Sequence, residues 1–427
     1  MASSPRPQDP FTGSGPRKDD IESSSEAFED APKAAEVLIT ADMSASSVTS
    51  TPRSAWLQVL LSHLININTF GTTLSFGIFQ PYYVSTLSLP PSTIAWIGTT
   101  QLFLIFALAP LSGRLLDAGY HRPTLLLGLT LQTVSHLSAS FTTTHFPTLF
   151  LTQGLLMGLG NGLLFCPAVA LVASHFSFSP NRTLALSLVA SGGGTGGILF
   201  PALASSLLPQ IGAPWTLRAM AAVMLLIAAL TGPFSRPPPL ARPAAKQPLL
   251  DITALRSPAF ALFCAGTFLA FLGLYSGYWF ARAYASTLGA SQASTFHILL
   301  LVNAAGIPGR ILPALLADRL GSALGVQIPT VAATGIVFAA WAGVRSMPGF
   351  WAWAAVYGFL AGACQALFQA SSTAFGGGGA RLGVVCAVVS GALIGKGGVM
   401  LLGAGMLGRA KWMLGRKTRR EGSGDGV

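Results

Sequence analysis

The chain has 427 residues, 51% of them hydrophobic and only 9% charged, against roughly 25% charged residues in soluble domains. It carries a formal net charge of +11, yet the bases stand singly between apolar runs and form no stripe with aromatics. This composition excludes an ordinary soluble enzyme, a secreted disulfide scaffold and a disordered tail protein, and reads as a membrane protein with charged loops rather than a nucleic-acid binder.

Residues 1–52 hold nine of the 14 acids, from Asp9 to Asp42, among Ser, Pro and Ala. No basic segment followed by an apolar one marks a signal peptide, so this stretch is expected to be a disordered cytoplasmic tail. Apolar runs long enough to cross a bilayer, about 20 residues each, follow near 56–79, 93–113, 123–141, 147–172, 183–208 and 215–234. A Pro-rich basic linker spans 235–258, with Arg236, Arg242, Lys246 and Arg256. Further runs lie near 259–281, 295–317, 323–344, 349–373 and 382–408. The expected domains are therefore a six-helix bundle over 53–234, a second bundle of five or six helices over 259–408, and a basic cytoplasmic tail over 409–427.

The positive-inside rule sets the orientation. With the N-terminus inside, Arg114, Arg122, Arg182, the 236–256 bases, Arg310 and Arg319 fall on cytoplasmic ends, against Arg218, Arg282 and Arg345 outside. The glycosylation triplet Asn181-Arg182-Thr183 then lies on the wrong side for use. The run 382–408 is long for one helix, short for two and interrupted by Lys396, so the last one or two helices are expected to be truncated.

The two halves echo each other once. Gly113-Arg114-Leu115-Leu116-Asp117-Ala118-Gly119, with Arg122 close behind, matches Leu315-Leu316-Ala317-Asp318-Arg319-Leu320-Gly321. Each sets a carboxylate and an arginine at a helix end beside a glycine that permits a tight turn. Gly113, Arg114, Asp117, Arg122, Asp318 and Arg319 are the expected conformational latch.

The chain resembles the major facilitator superfamily, and within it the fungal monocarboxylate-porter-like branch. The resemblance covers residues 53–410. It rests on Leu64-Ile65-Asn66-Ile67-Asn68-Thr69-Phe70-Gly71, Ser75-Phe76-Gly77-Ile78-Phe79, Ala95-Trp96-Ile97-Gly98, Leu151-Thr152-Gln153-Gly154, Asn181-Arg182-Thr183-Leu184-Ala185-Leu186-Ser187 and Gly306-Ile307-Pro308-Gly309-Arg310. It implies an all-α fold of two six-helix bundles related by pseudo-twofold symmetry, with a central cavity opening alternately to each side. It also implies transport of small organic acids or export of secondary metabolites. Two departures stand out: helix 1 has no lysine in Thr73-Leu74-Ser75-Phe76, and Gly306 stands where proton-coupled members have an aspartate. Arg310 is kept, so the resemblance implies a carboxylate-binding arginine without the usual proton acceptor.

A charge inside a span is costly and usually faces a cavity, and a guanidinium binds a carboxylate through two parallel hydrogen bonds. Arg310 is therefore the first substrate candidate, its alternative role being a latch with Asp318. Asn66, Asn68 and Thr69 form a polar patch in the first span, and Gln153 and Asn161 in the fourth. Either set lines the cavity or bonds neighbouring helices. Tyr275, Tyr278, Trp279 and Arg282 form an aromatic and cationic group, either a binding wall or an interfacial belt. Gln365 and Gln369 read as packing bonds. His63 and His136 are candidate proton carriers or packed polar groups.

Cys166, Cys264, Cys364 and Cys386 sit in apolar runs without metal spacing and read as free thiols. Gly192-Gly193-Gly194-Thr195-Gly196-Gly197 fits a dinucleotide fingerprint only by letter. It lacks a preceding strand, and its four-residue spacing serves close helix packing, as does Gly154/Gly158/Gly162. Gly391 to Gly397 is one residue short of a P-loop. The expectation is thus a multi-pass plasma-membrane carrier, acting as a monomer without ATP, cofactor or metal, that moves an organic acid or secondary metabolite by alternating access. The competing readings are a proton-coupled monocarboxylate importer, and a non-transporting sensor or truncated remnant. No catalytic constellation supports an enzyme.

Overall fold

The structure, a computed structural model, describes residues 52–177, 179–236, 252–374 and 385. Every regular element among these residues is helical. In chain order they are α1 (Pro52–Leu87), α2 (Pro91–Ala107), α3 (Ala109–Asp117), α4 (His121–Ala139), α5 (Phe146–Leu149), α6 (Met157–His175), α7 (Arg182–Thr231), α8 (Pro258–Thr287), α9 (Gln292–Leu320), α10 (Ala323–Ala340) and α11 (Met347–Ala374). A π-helical segment, Phe150–Leu156, joins α5 to α6.

Local chemistry sets several boundaries. Prolines open α2 and α8, where a missing N–H costs no helical bond. Ser291 and Ser322 cap α9 and α10 through their hydroxyls. Gly119 and Gly321 adopt φ +86° and +67°, the left-handed turn anticipated in both copies of the repeat. The 50 residues of α7 would run about 75 Å if straight, more than twice a ~30 Å hydrocarbon core. Gly212, at φ 73° and ψ 171° between Pro209 and Pro214, breaks it into two arms. These arms correspond to the expected runs 183–208 and 215–234.

Polarity is inverted relative to a water-soluble bundle. Asn66, Asn68, Gln132 and Asn161 are fully buried, while Leu126, Leu226, Leu262, Leu269, Ile328 and Ile336 face outward. Seven helical stretches among the described residues are long and apolar enough to cross a membrane. α1 and α4 fall outside that set because amides, hydroxyls and histidines replace aliphatic residues on their inner faces.

With no hydrophobic effect between helices in lipid, close backbone approach holds the bundle together. Glycines provide it at several places. A Cβ on Gly192 or Gly196 would strike the carbonyls of His63 and Ile67 on α1. One on Gly162 would strike Leu104 on α2, and Gly154 and Gly158 also abut α2. On α9 and α11, Gly306 and Gly309 lie against Gly362 and Phe359, and Gly358 lies against Val302. The opposite face of α7 uses Gly194 and Gly197 to meet Asn303, Ile307 and Arg310 on α9. α7 is thus packed on α1 through one glycine pair and on α9 through another. The glycine run is packing surface, as its spacing indicates.

The run 382–408, apart from Val385, lies outside the described residues, as do Lys396, Cys386 and both tails. Cys166, Cys264 and Cys364 are free and buried.

Candidate functional site

A cavity of about 480 Å³ lies between α1, α2, α8, α9 and α11. Its lining residues occur in consistent order along each helix. Gln80, Pro81, Ala95, Arg282, Ser286, Ala290 and Thr295 mark one end, and Phe70, Phe106, Phe271, Arg310, Gln365 and Phe368 the other. Ser286 is exposed, so the first end is the mouth. Rings close the floor: Phe165 packs on Phe106 at 5.2 Å, Phe106 on Phe271 at 6.4 Å and Phe271 on Phe368 at 5.0 Å. That row runs from helices of the first half to helices of the second.

Arg310 stands on this wall, itself only 3% exposed. Nη1 donates to the Gly306 carbonyl at 2.9 Å and Nη2 to Gln365 Oε1 at 2.7 Å. Nε has no partner. Both acceptors are neutral, so dipoles alone offset the charge, and an anion in the cavity would gain a charge-assisted bond. The guanidinium fills the space beside Gly306, where a Cβ would lie 2.7 Å from Nη1. Gln365 in turn donates to the Tyr278 hydroxyl at 3.5 Å. Gln365, for which a packing bond was the favoured reading, sits on the cavity wall as the partner of Arg310, and Gln369 lines the same wall.

Tyr275 and Tyr278 line the cavity one above the other, with ring centroids 6.2 Å apart. Arg282 lies one turn nearer the mouth, and its Nη1 donates to the Gly77 carbonyl on α1 at 2.8 Å. The side chain of Trp279 is outside the described set. Of the lining residues none is an acid or a histidine.

The remaining candidates lie elsewhere. Asn66 donates to Ser62 O at 3.2 Å and Asn68 to Met224 O at 3.4 Å. Asn161 accepts from Gln132 Nε2 at 2.7 Å and donates to Thr73 Oγ1 at 3.2 Å, tying α6 to α4 and α1. Thr69 Oγ1 accepts a second bond from Gln132. Gln153 accepts from the Tyr83 hydroxyl at 2.9 Å, and its carbonyl, displaced by the π segment, accepts from Gln101. Asn66 bonds within α1, Asn68, Gln153 and Asn161 bond between helices, and none of the four is among the residues lining this cavity. His63 meets the Leu188 carbonyl, Ser191 and Thr195, all on α7. His136 is buried away from the cavity with neither ring nitrogen partnered.

Beyond the floor, Asp318 accepts from the backbone N–H groups of Thr183 and Leu184, the open N-terminus of α7. A carboxylate at that position satisfies orphan donors and complements the helix dipole. This contact joins α9 to α7 through main-chain amides and involves no arginine side chain, and Arg319 is exposed. In the first copy, Asp117 and Arg114 are half-buried on α3, Gly113 is buried and Arg122 is exposed. Arg114 leaves Nη1 unpartnered.

Sequence reading missed Asn303 and Thr73 as wall residues. Asn303 was findable, since it precedes Arg310 by two helical turns and shares its face.

The profile of the Major Facilitator Superfamily matches residues 61–395. The chain belongs to this superfamily of membrane transporters. An MFS-type transporter of Gibberella zeae is 33% identical over 322 residues, 74% of this chain and 71% of the relative. The agnestins efflux protein AgnL12 of Paecilomyces divaricatus is 32% identical over 321 residues, covering 74% and 72%. Among solved structures, the human organic anion transporter MFSD10 superposes with TM-score 0.63 at 20% identity, covering 81% of this chain and 92% of that one. The transporter FucP in its outward conformation gives 0.61 at 16%, covering 83% and 92%. These two likenesses establish the fold. The protein is a multi-pass, all-α transporter, as the polar interior and apolar exterior require.

Proposed function

We propose that this transporter exports an amphiphilic aromatic organic acid, a secondary metabolite in chemical character, by alternating access across the plasma membrane. The carrying observation is Arg310: a buried guanidinium with neutral partners, on a wall rich in rings and amides. Such a wall favours a cargo with a flat apolar body and one anionic end. The similarity to AgnL12, an efflux protein by name, supports export.

In this reading the N-terminus is cytoplasmic, the mouth at Ser286 faces outward and Asp318 closes the inner end. The monomer works without ATP, cofactor or nucleic acid, and performs no catalysis. Arg310, Tyr275, Tyr278, Gln365 and Arg282 contact cargo. Because the described wall holds no carboxylate or histidine, the cycle is facilitative or an exchange and is not coupled to protons.

The test is flux in proteoliposomes holding the full chain, with labelled salicylate and larger aromatic carboxylates. Uptake that disappears in Arg310→Gln and survives in Asn66→Ala supports the assignment. Uptake indifferent to Arg310 overturns it.

A further inference from the structure

Residue 81 of α1 is a proline inside the helix. Proline has no N–H, so the carbonyl four residues earlier loses its helical donor. That carbonyl belongs to Gly77, and Arg282 Nη1 of α8 donates to it at 2.8 Å. Both Pro81 and Arg282 lie on the mouth of the cavity, and Gly77 lines it as well. Gly77 has no side chain to shield the bond: a Cβ there would meet nothing nearer than Arg282 Nη1 at 3.9 Å. Helix α1 thus carries an orphaned acceptor, and the other half of the molecule fills it with a cation.

We propose that Arg282 is a second anion-capture residue, parked on the proline-freed carbonyl of Gly77 until the anionic end of the cargo displaces it. This rests on the reading of the cavity as an organic-anion site and deepens it. A carbonyl offers the guanidinium a dipole, whereas a carboxylate offers a full charge and two acceptors. Exchange of one for the other favours the cargo and breaks the bond that spans the mouth from α1 to α8. Arrival or departure of an anion at that end therefore loosens the mouth. Arg282 and Arg310 both line the cavity, and on α8 Tyr278 and Tyr275 follow one and two turns below Arg282, with Tyr278 bonded to Gln365, the partner of Arg310. An anion passing between the two arginines slides along aromatic faces and meets no carboxylate among the lining residues.

The experiment uses the full chain carrying Leu299→Cys, a buried position on the cavity wall below Arg282. The rate of labelling by a membrane-impermeant thiosulfonate is read at residue 299 by mass spectrometry, with and without saturating salicylate. Losing one charge-assisted bond across the mouth is expected to raise the rate about tenfold in Arg282→Gln. Pro81→Ala, which returns a helical N–H to Gly77, should raise it similarly, and Arg282→Lys should stay near the parent. Salicylate should accelerate labelling of the parent and leave Arg282→Gln unchanged. Equal rates in parent and Arg282→Gln overturn this proposal whichever way flux behaves. So does a parent rate indifferent to salicylate when Arg310-dependent salicylate uptake is intact. Absence of Arg310-dependent uptake, with the Arg282→Gln and Pro81→Ala rates raised, instead overturns the cargo assignment and keeps the parked arginine.

Discussion

Asp318 Oδ1 accepts the main-chain N–H of Thr183 at 2.9 Å, bringing the end of α9 onto the start of α7. The contact joins the two halves beyond the cavity floor and has no side-chain partner on the α7 side. Asp318→Asn keeps the shape but removes the charge from the helix N-terminus. It is expected to weaken this closure by about 1 kcal/mol. Labelling of Ala370→Cys, in the crevice beside Asp318, should then rise about fivefold from that side. An unchanged rate would mean the carboxylate does not hold the halves together.

Gln365 gives a sharper test of the anion site than deletion of Arg310. Its Oε1 lies 2.7 Å from Nη2, so Gln365→Glu sets a permanent carboxylate on the guanidinium. That internal anion occupies the charge the cargo needs. Uptake of aromatic carboxylates should fall as far in Gln365→Glu as in Arg310→Gln. Gln365→Leu, which leaves the charge available, should chiefly raise KM. If the glutamate variant transports normally, Arg310 does not bind the anionic end.

Two glycines on successive turns of α7 should respond in opposite ways. A Cβ at Gly196 falls on the Ile67 carbonyl and the Gly71 backbone, which cannot move aside. Gly196→Ala is expected to cost about 1–3 kcal/mol, seen as a lowered melting temperature in detergent. At Gly193 the nearest atom is Phe70 Cβ at 3.4 Å, and the position opens on the cavity. Gly193→Ala should leave melting nearly unchanged and alter KM. Equal melting losses at both positions would contradict the packing described.

The proton dependence follows from the wall. Among the described residues no lining residue is an acid or a histidine, and both ring nitrogens of His63 have partners on α7. An imposed proton gradient is expected to leave the initial uptake rate unchanged, and His63→Gln should preserve that indifference. Rates that track the gradient would return the molecule to the proton-coupled reading. His136→Gln would be the variant to assay next.

Much of the helical frame could be read from hydropathy alone, because crossing a bilayer demands long apolar runs with polar breaks. Exact ends could not, because caps such as Ser291 and Ser322 and the reversal at Gly212 depend on single residues. The site was legible where charge is scarce. Arg310 and Arg282 stood out since a cation in an apolar run needs a reason to be there. The amides were not separable on that basis. Asn161 and Gln365 are the same kind of group on helices of the same kind, yet one bonds between helices and the other faces the cavity. Only helix rotation distinguishes them, and one chain does not fix rotation. The Asp318 contact was half legible: its position was marked by the repeat, but its donors are main-chain N–H groups that no side-chain pattern announces.

The glycine seam between α9 and α11 has a mechanical consequence. Gly306, Gly309, Gly358 and Gly362 bring the two backbones into direct contact, so these helices move as one solid piece. Arg310 on α9 and Gln365 on α11 sit on either side of that seam, so their mutual bond is expected to hold if the halves rock. The aromatic surface around them comes from Tyr275 and Tyr278 on α8 and from Phe70, Phe76 and Phe106 on α1 and α2. Arg310 with Gln365 is then a fixed jaw, and under the proposed function its preference for an anionic end would be the same whether the cargo is entering or leaving.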